Sequence, residues 1–365
     1  MKSSTMPVMV SKQVGDLTNA IHAIFRRSNF ENISDSEYDA LAPTLRLATR
    51  LLTTKEIAGF PHAILLAPFG YRKGQSTPDQ LEIYDEKWFQ RKWPKLTEQD
   101  IAKYETTLST FANMVSFRAV NTSNQGCGYC NADWSTPPPQ GIHLKVGSTI
   151  AFSKKDVDKA MIYQNTWSEL ASQRHCFITA KILLHELMHA LAYARVGHDV
   201  AAPFDIPFEK QTIIETGYEW EDYVFGGLVY WHTSAAAGSA SHFEFGALYH
   251  SCWPSAGVAR QYIANDYEIV ILEQPAPIEV HWLVDPNPSK KDWVSRLFST
   301  HFWEHEVPRL GASALKAPKI RGFRYDVDEE GKTIAVADPF SLPADTIPTG
   351  YIQDDLDGEV VIDLW

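Results

Sequence analysis

The sequence predicts an α+β fold. Apolar periodicity of helical type recurs along the chain, most extensively from Ser172 to Arg195, and short β-like runs lie between and after these stretches. A composition of 44% hydrophobic and 21% charged residues is that of a globular protein and excludes wholesale disorder. The 365 residues allow one large domain or two to three smaller ones, with a sizeable core.

Taken in order, Asp35 to Leu52 reads as an amphipathic helix, with Ser34 or Asp35 as N-cap and Leu41, Leu45, Leu47 and Leu51 among its apolar set. The run from Ala63 to Ala67 is short and wholly apolar and reads as a strand. Thr97 and Asp100 have capping-box spacing and open a helix running to about Met114. The three prolines from Pro137 to Pro139 break the chain. After them, Ile142 to Val146 alternates as a half-buried strand does, and Thr149 to Phe152 is a second strand candidate. Ser153 to Asp156 opens a short helix. The long helix beginning at about Ser172 is stopped by Gly197, and another is expected from Thr212 to about Val224. Beyond Gly226 the chain is rich in aromatics, glycine and proline. These features suggest a helical N-terminal part (1–110), a central part (111–230) and a C-terminal part with an acidic, β-rich end (231–365). No linker separates them sharply, so one domain is also compatible. The first hundred residues are long enough to cover a site in the central part.

Thirty-three basic and 45 acidic residues give a net charge of −12, which argues against a nucleic-acid partner. Most of that charge lies after Asp326, where acids alternate with β-like runs such as Thr333 to Val336; this reads as a folded segment. The N-terminus has no apolar signal region, and no stretch approaches the length of a membrane span. Four cysteines are too few for a secreted disulfide framework. The expectation is an intracellular protein with no membrane partner.

The stretch that carries chemistry is Leu184-His185-Glu186-Leu187-Met188-His189-Ala190-Leu191. Residues four apart share one face of a helix, so His185 and His189 can offer two imidazole nitrogens to one metal ion. Glu186 projects about 100° around the helix from His185, beside such an ion and not onto it. The flanking Ile182, Leu183, Leu187, Met188 and Leu191 indicate a buried helix. Two histidines and a glutamate are costly to bury there without a partner, and a metal supplies one.

This H-E-x-x-H helix resembles the active-site helix of the zincin metallopeptidases. The resemblance implies a zincin-like fold, with a small mixed sheet beside the helix, Zn²⁺ as cofactor, His185 and His189 as ligands and Glu186 as general base. The metzincin subgroup has a third histidine where this chain has Arg195. Gluzincins take a glutamate from a later helix, and Glu215 matches that position. Glu219, four residues on, is the alternative ligand, or a residue that orients a ligating histidine. Asp199 is a more remote, aspzincin-like option. Zincins also bind extended substrate along an edge strand upstream of the helix; Ile142–Val146 and Thr149–Phe152 are the candidates. Tyr223, Tyr230 and His232 are candidate donors to a developing oxyanion.

Other features carry less. Cys127 and Cys130 form an isolated C-x-x-C and read as bystander thiols. Eleven tryptophans, spread widely, suit packing. His301 and His305 are four apart, but no glutamate follows His301, and a surface or packing role is expected. The expected function is a zinc-dependent hydrolase of the gluzincin-like peptidase type, acting on a peptide through zinc-activated water. The alternatives are a metal-binding protein without peptidase activity and a metalloenzyme acting on a small molecule.

Overall fold

The computed structural model describes residues 14–68, 70–72, 86–88, 95–121, 128–133, 144–166, 168–197, 208, 213–232, 247–251, 253–254, 270–271, 279–284, 293–317, 321–327 and 333–337. In chain order, β1 (Phe30–Glu31) leads to α1 (Asp35–Ala40), α2 (Ala42–Thr53) and α3 (Gly59–Leu66). Then come β2 (Gly70–Arg72), β3 (Glu86–Trp88), α4 (Glu98–Phe111), β4 (Val115–Val120), β5 (Gly128–Asp133) and β6 (Gly147–Ser153). Next are α5 (Lys154–Thr166), α6 (Glu169–Val196), β7 (Ile213–Ile214), α7 (Thr216–Phe225), β8 (Leu228–His232), β9 (Ala247–Ser251), β10 (Val270–Ile271) and β11 (Glu279–Val284). The chain continues through α8 (Trp293–Leu297), a π-helical turn (Phe302–Glu306) and α9 (Val307–Leu310) to β12 (Arg321–Val327) and β13 (Thr333–Ala337).

The fold is α+β. Its central sheet is small and mixed, in the order β1-β4-β6-β5. The pairs β1–β4 and β4–β6 are parallel, and β5 runs antiparallel to β6 at the edge. Both β5 and β6 pack on α6. A second, antiparallel sheet follows the order β13-β12-β11-β9-β8.

The helix α6 is the axis of the packing. Ser168 caps its start by accepting the Ala171 N–H, and Gly197, at a φ of 58°, ends it as the sequence implies. It is buried along most of its length, which suits a helix surrounded by other elements. On one side it meets α2 and α3, and elsewhere it meets the sheet, α7 and α8. Phe177 illustrates the joint, with edge-on contacts to Phe225 and Trp293 at 5.4 and 5.3 Å between ring centroids.

One continuous core runs from Val14 to Ala317. Ile24, Phe25, Leu45, Phe60 and Phe111 are all fully buried in it, so the N-terminal helices build the core instead of covering it. Asp16 also ties the N-terminal segment to the far end of the chain: its N–H donates to Phe298 O at 3.0 Å, and its carboxylate accepts the Thr300 N–H at 2.5 Å. Among the described residues no helix is long and apolar enough to cross a membrane.

Several sequence expectations need correction. The helix expected over 35–52 is two helices, because Pro43 has no N–H to continue the first and starts a second. Residues 63–66 are not a strand but lie in α3. Short apolar runs do not distinguish a buried strand from a buried helix, and here contact with α6 decides. Residues 144–146 form no strand, and Thr149–Phe152 lies inside β6, an interior strand. The capping box at Thr97 and Asp100 is present, and so is one at Ser34 and Glu37.

Glu37 yields a pH prediction. The Lys154 ammonium, 2.7 Å away, and then the Ser34 N–H hold its carboxyl down to about 2. This contribution is complete above the ordinary carboxylate value and fades as pH falls towards 2, so Glu37→Gln should narrow the stability gap between pH 6 and pH 3. A second prediction concerns the shared core. Leu45→Ala should cost about 2–5 kcal/mol in urea unfolding and lower the midpoint of the whole chain's transition. An independent N-terminal unit would instead leave the Trp293 environment unchanged at the same denaturant concentration.

Candidate metal centre

His185 and His189 lie one turn apart on α6, with ring centroids 5.2 Å apart. The chain reaches them again through β7, which ends at Ile214. Glu215 follows in an extended conformation (φ −159°, ψ 103°) and is the N-cap of α7. Its Oε2 accepts the Tyr218 N–H, the usual bond of an N-cap. Capping turns Oε1 the other way, towards the histidines. His189 Nε2 lies 2.8 Å from Glu215 Oε1, and His185 Nε2 lies 3.0 Å from the same atom. The ligand atoms of all three residues fall within 4.8 Å of one another. Two imidazole nitrogens and one carboxylate oxygen thus lie together, a donor set that could hold a metal ion.

Glu221, one and a half turns into α7, completes the arrangement. It is fully buried, and its Oε1 accepts from His185 Nδ1 at 3.0 Å and from Lys181 Nζ at 2.8 Å. The bond to Nδ1 fixes the ring and leaves Nε2 facing Glu215. Lys181 lies on α6 one turn before His185 and sets a buried positive charge against Glu221. The sequence reading missed both roles. The signal was present only as one of three acidic residues in that helix, beside Glu219 and Asp222.

The charges around His185 shape its proton affinity. Burial alone would lower its pKa. The Glu215 carboxylate foremost, then the hydrogen bonds to Glu215 and Glu221 and the nearby Glu186, outweigh burial and raise it to about 9. Burial would raise Glu215, but the two histidines hold it well below the usual carboxylate range. His185 and Glu215 thus each favour the charged form of the other.

Two glycines let other elements approach this closely. A Cβ at Gly217 would stand 2.5 Å from His185 Cγ, so α7 can lie against the ring only because none is there. A Cβ at Gly128 would stand 2.7 Å from Glu186 Cγ and 3.0 Å from its Oε1. The edge strand β5 therefore rests directly on Glu186, which is itself buried.

Of the residues singled out in the sequence, His185, His189 and Glu215 come together, with Glu186 adjacent on the same helix. Glu215 reaches them from the N-cap and not from a helix face, which corrects the start of that helix from Thr212 to Thr216. Glu219 does not join the cluster. It lies one turn further along α7 and accepts the Trp253 indole N–H at 2.7 Å. The histidine-orienting role considered for Glu219 falls instead to Glu221. Tyr223 packs against Phe60, 5.7 Å between ring centroids. The side chains of Tyr230 and His232, together with Asp199 and Cys127, lie outside the described residues. Among the described residues, Tyr218 stands beside the site, edge-on to His185 at 4.7 Å and 5.1 Å from Trp253 between ring centroids. Among the described residues β5 is the edge of the central sheet next to α6; Thr149–Phe152 lies in the interior strand β6, and Ile142 and His143 lie outside the described residues.

Comparison with protein-family models, curated proteins and solved structures finds no match.

Metal binding should displace the His185 proton. The affinity of the metal-free protein for zinc should then rise about tenfold per pH unit up to roughly pH 9 and level off, with one proton released from this residue. Calorimetry in buffers of different ionisation enthalpy measures both quantities; affinity independent of pH between 6 and 8 would contradict the reading. Glu221→Ala should weaken zinc binding about 10–100-fold, whereas Glu219→Gln should leave it unchanged.

Proposed function

We propose that the chain is a zinc-dependent hydrolase of the zincin type, gluzincin-like in its ligand set, and that it cleaves peptide bonds. The observation that carries this reading is the convergence of His185, His189 and Glu215 within 4.8 Å, beside Glu186 on the same helix. In the proposal these three hold the ion. Bound there, Zn²⁺ supplies a Lewis acid for the scissile carbonyl and lowers the pKa of water to about 7.

The chain's own residues do the rest. Glu215 Oε2 is engaged by the Tyr218 N–H, so its other oxygen is committed to the centre. Glu221 holds His185 in the tautomer that presents Nε2. The Glu186 carboxylate accepts a proton from the attacking water and passes it to the leaving amine. Burial of Glu186 beneath β5 limits competing solvent around that carboxylate.

A peptide substrate is favoured over a small molecule by the position of β5. It is the edge of the central sheet among the described residues, and its Gly128 lies over the proposed base. A segment added alongside such an edge as a further strand would run past Glu186.

Glu186→Gln is the decisive variant. With a peptide library as substrate, cleavage should fall about 10²–10⁴-fold while zinc content is retained. Turnover equal to wild type would sink the proposal, and metal-loaded protein that cuts no peptide would redirect it to a non-peptidase role.

A further inference from the structure

A second pair of imidazoles lies away from the centre, on the helical run that includes the π-turn Phe302–Glu306 and α9. In that turn the Val307 N–H bonds to Phe302 O, five residues back. Turns of this kind are rare and are found disproportionately at functional sites. Phe302 and Trp303 point into the core, and the Trp303 indole N–H donates to Leu297 O at 2.7 Å. They do the packing of this segment. His301 and His305 point outward, both exposed, with ring centroids 4.6 Å apart and planes inclined by 43°. Among the described residues neither ring has a hydrogen bond or an ion pair. The neighbouring Glu306 is engaged by Arg296 at 2.6 Å.

We infer that His301 and His305 form a second, exposed metal site for a borderline divalent ion such as Zn²⁺, Ni²⁺ or Cu²⁺. The chemistry is that of two imidazoles. An ion bound at about 2.0–2.1 Å to each of two nitrogens requires those nitrogens to lie no more than about 4.2 Å apart. Rings already at 4.6 Å between centroids meet that limit by small side-chain rotations. Imidazole donors select zinc, copper and nickel over calcium and magnesium, which need oxygen ligands. Water fills the remaining positions, so this site binds more weakly than the buried three-ligand centre. An ion there links two residues across the π-turn and stabilises it.

The test is a zinc titration, by calorimetry, of the full-length protein stripped of metal. Wild type should take up about two ions per chain in two affinity classes, with imidazole nitrogens as ligands in both. His305→Ala should lose the weaker class and keep the tighter one, and His305→Asn, closer in size and polarity, should do the same. Zinc should raise Tm further in wild type than in either variant. A His305→Ala isotherm indistinguishable from wild type, or a single class in wild type that His305→Ala leaves intact, overturns the inference. His185→Ala/His189→Ala should keep the weaker class. If the buried centre binds no metal, that double variant titrates like wild type while His305→Ala still loses its class, so the two failures are told apart.

Discussion

Four carboxylates, Glu186, Glu215, Glu219 and Glu221, are buried on α6 and on α7 or its N-cap, and a buried carboxylate stays charged only against a partner. The structure sets His185, His189 and Lys181 against Glu215 and Glu221, and the Trp253 indole N–H against Glu219. Glu215 meets both histidines through one oxygen, while Glu221 meets His185 and Lys181 through one oxygen of its own. His185 is thus held between two carboxylates, and α6 is bound to α7 by charge as well as by apolar packing. The rest of the local structure follows from this constraint. The chain after β7 must arrive extended so that Glu215 can cap α7 and still face the histidines. Gly217 must lack a side chain so that the helix can begin against the His185 ring. Removing one member leaves another buried and unmatched, a loss of about 3–5 kcal/mol for an ion pair this deep.

The same constraint bears on the proposed chemistry. A site that gathers these carboxylates around its histidines has assembled its negative charge in advance. A divalent cation entering it finds ligands already oriented and carboxylates that need not be drawn out of water. Glu186 belongs to this charge cluster through its proximity to His185. It lies under the edge strand, where a general base would meet both water and a segment aligned with β5.

What the sequence made legible depended on whether the signal was local. His185, Glu186 and His189 were readable because one helical turn fixes their relation. Glu215 was preferred over Glu219 only through the resemblance to gluzincins, and its geometry was not legible: it sits at an N-cap, where capping and the approach to the histidines use its two oxygens separately. Glu221 was not readable, because its partners are Lys181 and His185, some 40 residues earlier, and only the packing of α7 on α6 brings them together. The edge strand was misplaced for the same reason. Alternation marks a strand as half-buried but does not order it in a sheet, and pairing put β5 outside β6. The mixed sheet beside α6 agrees with the α+β expectation, whereas the helix containing Ala63 to Leu66 shows tertiary contact overriding a short apolar run.

The most direct measurement is the metal content of the purified, desalted protein by plasma mass spectrometry, with His189→Ala beside wild type. The account predicts about one tightly held zinc ion per wild-type chain and none in the variant. A wild-type protein that retains no zinc, even after it has been supplied, would contradict it and would make the His185–Glu215–His189 cluster a buried ion network with a purely structural role.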